Sequence, residues 1–180
     1  MVRKLLFLSG VLFLNSCISQ IRLKDGTRVP DKNYVFKNSS KFDVEIFNKI
    51  NNNYLYELKE NYFVDRSNNK IRNFGTPTAR YLQFYNTGQV RDIYYFEPNP
   101  SLTGKRGFVY MNKGKIQLDI TQATQDGDIY INTFRVVIEE DKLYLVESSF
   151  SLFGNNSREC YVYEKSEKIP EDWKQYKANW

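Results

Sequence analysis

The chain contains no histidine, and only two of its 180 residues are cysteine, Cys17 and Cys160. The first absence removes the commonest general base and the commonest metal ligand together. It excludes a Ser-His-Asp or Cys-His catalytic arrangement. A zinc site would have to rest on carboxylates and one thiol, a poor set for that ion. No P-loop and no Gly-x-Gly-x-x-Gly run occurs, and Gly104-Lys105-Arg106-Gly107 lacks both the spacing and a following helix. Lysine and arginine form no dense cluster. Basic and acidic residues interleave, as in Lys165-Ser166-Glu167-Lys168, which describes a solvated mixed surface and not a nucleic-acid footprint.

Apolar residues make up 41% of the chain, enough for a real core. The 14 tyrosines and 13 phenylalanines far outnumber the two tryptophans, Trp173 and Trp180. Tyrosine and phenylalanine favour strands, and tyrosine suits a half-buried face with its hydroxyl reaching water. The length fits one domain plus a short extension. Two of the five net positive charges, Arg3 and Lys4, belong to the opening segment.

That segment reads as an address. Arg3 and Lys4 precede an apolar stretch from Leu5 to Leu14, interrupted by Ser9 and Gly10. A basic start followed by such a stretch is the layout of a secretory signal. The stretch is too short for a membrane span, which needs about 20 apolar residues. It is also apolar all round, which a surface helix is not. Leu14-Asn15-Ser16-Cys17 resembles the lipobox of bacterial lipoproteins: aliphatic Leu14 three positions before the cysteine, small Ser16 just before it, and Cys17 itself. Asn15 stands where a smaller residue is usual. The resemblance implies cleavage before Cys17, a diacylglycerol thioether on its sulfur and acylation (palmitate, for example) of the freed amine. A thiolate is the side chain nucleophilic enough for that alkylation. Two or more acyl chains hold a protein firmly at a bilayer, where one holds it marginally. Residues 1–16 are then the signal peptide. Residues 17–37 are a tether with some local order, in which Ile21–Leu23 can pair onto the domain, and 38–180 are a single β-rich domain. No acidic run of the kind that marks export to the cell exterior in some lipoproteins follows Cys17, which favours the periplasmic face; the location expected is the outer membrane of a Gram-negative cell, facing the periplasm. Cys160, left without a partner if Cys17 is acylated, reads as a small buried strand residue.

In the body, Phe42, Ile46 and Ile50 recur every four residues behind Ser39-Ser40, which predicts a short helix. The same stretch also alternates as a strand would. From Tyr54 onward the pattern is hairpin after hairpin. Residues 81–85 and 90–96 flank a turn with Gly88 where positive φ is needed. Residues 108–111 and 115–120 flank Asn112-Lys113-Gly114, and 130–139 and 143–146 flank Glu140-Asp141-Lys142. A last strand covers 159–163. Ile116, Leu118 and Ile120 alternate with Lys115, Gln117 and Asp119, so one face is core and the other water. The expected fold is mainly β: an antiparallel up-and-down meander closing into a barrel or strongly curved sheet, with a short N-terminal and a short C-terminal helix. The second helix covers 169–177 behind Pro170. The hairpin series resembles the small lipocalin-like lipoproteins of Gram-negative bacteria over about Tyr54 to Tyr163. The Gly-x-Trp signature of true lipocalins is missing, and no ligand-binding residue is carried over.

Tight turns alternate with longer links, and such links gather at one end of a meander, where binding residues usually sit. Phe150, Leu152 and Phe153 in one of these links form either a plug over the barrel mouth or a partner-binding patch. By phase, Phe84, Tyr94, Phe96, Tyr110 and Phe134 point inward. They line a pocket for an apolar or glycan ligand, or, more plainly, fill a small barrel as core. Asp126-Gly127-Asp128 reads as a turn, because the further ligands of a calcium loop do not follow. Glu139-Glu140-Asp141 falls at another turn. No catalytic residue, metal or cofactor is expected, and the chain is not read as an enzyme. The function expected is a membrane-tethered, non-catalytic binding or interaction domain for a small apolar ligand or an envelope protein. The alternative is a loop-mediated inhibitor of a hydrolase. A carboxylate-dependent hydrolase would require two carboxyls converging in a cleft about 5 to 9 Å apart.

Overall fold

Alternation within each strand and tight turns between them carry the architecture. The computed structural model describes residues 18–94, 96–149 and 157–180. The proposed signal peptide, Cys17 and the loop residues Phe150, Leu152 and Phe153 lie outside the described residues.

Eight strands close into an antiparallel barrel: β3 (Tyr54–Val64), β5 (Tyr81–Phe84), β6 (Gln89–Ile93), β7 (Lys105–Asn112), β8 (Lys115–Ala123), β9 (Ile129–Glu139), β10 (Lys142–Glu147) and β11 (Arg158–Lys168). Each pairs with its neighbour in sequence, and β11 pairs back onto β3 with Tyr163 opposite Leu58 and Cys160 opposite Tyr62. A bulge between Val162 and Tyr163 bends this closing pair. Closure removes the free edges a flat meander would expose. A short strand, β4 (Lys70–Asn73), adds to the end of β3 outside the ring. At the β5–β6 turn Gly88 has φ +88°, and at the β7–β8 turn Lys113 and Gly114 have φ +49° and +73°. Both turns fall where the hairpin pattern placed them.

The barrel interior is packed with aliphatic and aromatic side chains. Leu58, Leu82, Val90, Val109, Leu118, Phe134, Leu145 and Tyr163 belong to one core, each with almost no exposed surface. The tight turns of β5–β6, β7–β8 and β9–β10 lie at one end, the turn end. The connections after β3, β6, β8 and β10 start from the other, the loop end.

No α-helix occurs among the described residues, which corrects both helix expectations. Val44–Asn48 and Glu171–Gln175 are 3-10 turns of five residues each. The first begins at Asp43, whose side chain accepts from the Glu45 amide. So short a run, rich in β-branched and aromatic residues, cannot repay helix nucleation. Its four-residue recurrence has another use. Ile46 and Ile50 are buried in the barrel core with Phe42 and Phe47 packed against them, so this turn plugs the barrel. The second turn buries Trp173 against Leu55, Ile93 and Ile169 on the outer wall.

Residues 18–37, expected as a tether, form a docked hairpin. β1 (Gln20–Arg22) pairs with β2 (Arg28–Pro30). Leu23, Val29 and Phe36 are buried, and Arg106 Nη1 donates to the Pro30 carbonyl at 2.5 Å.

Candidate functional site

Toward the loop end the inward positions change character. Asp92 lies two residues beyond Val90, Arg80 two before Leu82, and Asn132 two before Phe134; Glu147 follows Leu145 by two. Charged and amide groups therefore continue the same inward phase above the aliphatic core. Arg80 Nε donates to Asp92 Oδ1 at 2.8 Å, and both side chains are buried. The rings of Tyr161 and Tyr94 stand 5.1 and 5.8 Å from the guanidinium, within the range of attraction between a cation and an aromatic face. Phe74 packs edge-on to Tyr161 at 5.6 Å. Asp92 and the two rings hold Arg80 in place. Its two terminal nitrogens make no hydrogen bond to a described residue.

Two buried polar atoms nearby are also unmatched. Asp92 Oδ2 and the Tyr163 hydroxyl have no hydrogen-bond partner among the described residues. Burial pushes the Tyr163 phenol well above its ordinary value, against the pull of the Arg80 charge. Buried polar groups are nearly always satisfied, so these two atoms can each take a water or another polar group.

On the β10–β11 side, Asn132 Nδ2 donates to Glu147 at 3.1 Å, and the Tyr161 hydroxyl donates to Glu159 at 2.5 Å. Burial and the nearby Glu159 charge push the Glu147 carboxyl up, opposed by the Glu159 amide and the Asn132 side chain. Lys105 Nζ lies 5.7 Å from the Tyr94 ring and donates to Gln122. The cluster is a polar, tyrosine-lined collar above an apolar floor. Among the described residues no group of three or more acidic or cysteine side chains is arranged to hold a metal ion.

A second concavity lies on the outer wall. Tyr62, Val64, Val137, Tyr144, Val146 and Cys160 bound a groove of about 330 Å³ beside Asn68. Asn68 Oδ1 accepts from Arg135 and Arg158, which straps the β3–β4 loop across strands β9 and β11. Burial pushes the Cys160 thiol up, although a hydrogen bond from Tyr62 opposes the shift.

The five aromatic residues assigned inward by phase separate. Phe84 and Phe134 are in the interior core. Tyr94 is half-buried beside Arg80. Phe96 is exposed and lies tilted against the rings of Tyr81 and Trp173 on the outer wall. Tyr110 packs with Phe36 and Phe108 beneath the N-terminal segment, its hydroxyl donating to Asp119. Gly107, Val109 and Met111 take the inward phase of β7, which leaves Phe108 and Tyr110 on its other face. Arg80, Asp92, Glu147, Tyr161 and Tyr163 were not singled out from the sequence. The available signal was a charged residue in core phase at a strand end, as Asp92 is relative to Val90.

Compared with family models, curated proteins and solved structures, the chain matches none.

Proposed function

We propose that the protein is a membrane-anchored lipoprotein of a bacterial envelope whose barrel is a non-catalytic binding domain. The opening segment and the Leu14-Asn15-Ser16-Cys17 sequence support the anchor. The binding reading rests on one observation above all. A barrel plugged by Ile46 and Ile50 carries, at its loop end, a fixed Arg80 beside two buried polar atoms that no described residue matches.

The ligand is a small, largely apolar molecule with one polar head. Its body lies against Tyr94, Tyr161 and Phe74. Its head accepts from the Arg80 guanidinium and donates to Asp92 Oδ2, which a hydroxyl or amide does. Pinning Arg80 in advance lowers the ordering cost of binding. A pair of buried polar atoms beside one guanidinium suits a small molecule, so an envelope protein is the second reading.

Native mass spectrometry of the protein purified from its own membrane tests both parts. The expected spectrum shows an acylated chain beginning at Cys17 with a stoichiometric small-molecule adduct. The adduct is weakened at least tenfold in Tyr94→Ala and retained in Phe96→Ala. An unmodified Cys17 thiol, or a chain still beginning at Met1, removes the anchor. A chain without adduct, or with one indifferent to Tyr94, removes the binding site.

A further inference from the structure

The net positive charge of the folded body is confined to its first twenty residues. Residues 18–37 carry five basic side chains (Arg22, Lys24, Arg28, Lys32, Lys37) against Asp25 and Asp31, while residues 38–180 carry nineteen basic and nineteen acidic. Arg22, Lys24, Lys32 and Lys37 are exposed, and none forms an ion pair with a described residue. Elsewhere five of the twelve lysines are ion-paired: Lys59 with Glu57, Lys70 with Glu60, Lys142 with Glu164, Lys165 with Asp141 and Lys174 with Glu171. Both acids of the segment serve its backbone. Asp25 accepts from the Thr27 and Gly104 amides, and Asp31 accepts from Asn33.

The position of this charge matters as much as its amount. The Asp31 amide donates to the Ser19 carbonyl at 2.9 Å. Lys32 therefore sits where the chain enters the fold, and Gln20 is already in β1. Two residues separate Cys17 from Gln20, three Cα steps with a reach of about 10 Å at full extension. The screening length at physiological salt is about 8 Å. An acyl anchor on Cys17 thus leaves little slack before β1, and it brings Arg22 and Lys32, beside the point of entry, to a distance on the order of the screening length from the lipid headgroups. Exposed Ile21 and Val35 supply apolar contact beside them.

We infer that the β1–β2 hairpin and the residues that follow it, up to Lys37, form a membrane-apposed face that recognises anionic phospholipid headgroups. The inference rests on the anchor reading for where the chain meets the bilayer. This face sets the orientation of the barrel: the hairpin wall lies toward the lipid, held there by charge in addition to the acyl chains.

The test is amide hydrogen exchange of the full chain reconstituted into phosphatidylcholine vesicles with or without phosphatidylglycerol, with intact mass taken on the same sample. Amides 19–37 are expected to exchange at least tenfold more slowly when the anionic lipid is present. The difference should vanish in 0.5 M salt, as surface electrostatics does at about this concentration. It should also vanish in the variant Arg22→Gln/Lys24→Gln/Lys32→Gln/Lys37→Gln, whose exposed positions leave the core intact. Exchange rates indifferent to lipid composition, or protection that survives the fourfold variant, overturn the face even if Cys17 is acylated. Protection and flotation with anionic vesicles by a chain whose Cys17 is unmodified would uphold the face and overturn the anchor.

Discussion

At the scale of single residues, the Arg80–Asp92 pair carries the sharpest energetic consequence. Asp92→Asn leaves a buried guanidinium without its counter-charge and is expected to cost about 3 kcal/mol by urea unfolding at neutral pH. Replacing both groups, as Arg80→Met/Asp92→Leu, should recover most of that loss, because an apolar pair avoids desolvating two charges. A double variant as unstable as the single one would show that the pair is needed for packing and not for charge balance. Glu147 gives a pH signature. Its folded value is raised above the ordinary 4.5 by burial first, so the folded chain holds that proton more tightly than the unfolded chain. The group therefore lowers stability fully above its raised value, and the loss is relieved as pH falls through that value toward 4.5. Glu147→Gln should raise the melting temperature at neutral pH and flatten the pH dependence in that window, read by thermal unfolding across a pH series. An unchanged slope would exclude Glu147 as its source. Cys160 is buried and unpaired as a thiol, and its raised value keeps it protonated, so it should react with a thiol reagent only as fast as the barrel opens.

At the scale of elements, two glycines show how closely the strands and their cap approach. A Cβ on Gly107 would stand 2.6 Å from the Asp119 carbonyl oxygen, a backbone atom of the paired strand. Gly107→Ala should cost about 1–3 kcal/mol through forced displacement of β8. Gly88 meets the plug instead: a Cβ there would lie 2.6 Å from the Phe42 ring, at a φ of +88°. Much of the element pattern was legible beforehand. Ile116, Leu118 and Ile120 face the core as their alternation required, and the turns at Gly88 and Gly114 have the positive φ that their sequences called for. The helices were not legible, because Phe42, Ile46 and Ile50 recur with a spacing that serves equally for plugging a barrel end. The inward phase of Tyr110 was not legible either. Phe108 and Tyr110 are buried under the N-terminal segment, and burial of both faces of a strand erases the alternation on which such an assignment rests.

At the scale of the whole molecule, stability hinges on the strand that closes the ring. β11 is bonded on both sides, to β10 and to β3, with Val162 opposite Tyr144 on one side and Glu60 on the other. Cys160→Pro, at a position paired with Val146 and with Tyr62 and clear of the bulge, puts proline into a doubly bonded strand and should cost about 3 kcal/mol or more, read as loss of a single cooperative thermal transition. The same substitution at Lys168, at the end of the strand, should be mild. The pairing also joins residues about a hundred apart in sequence, so its loop-closure cost comes before its reward, and folding should be slow for the chain's size. What the sequence determined alone was local: most of the barrel strands, though not β2 or β4, where the tight turns fall, and the absence of histidine chemistry. The tertiary structure decided closure, the 3-10 plug, the docking of residues 18–37 and the gathering of Arg80, Asp92, Tyr161 and Tyr163 at one end. The physical reason is range. Alternation and turn chemistry act over a few residues, whereas the register between β3 and β11, and every group it brings together, depends on the accumulated tilt and bulges of all eight strands.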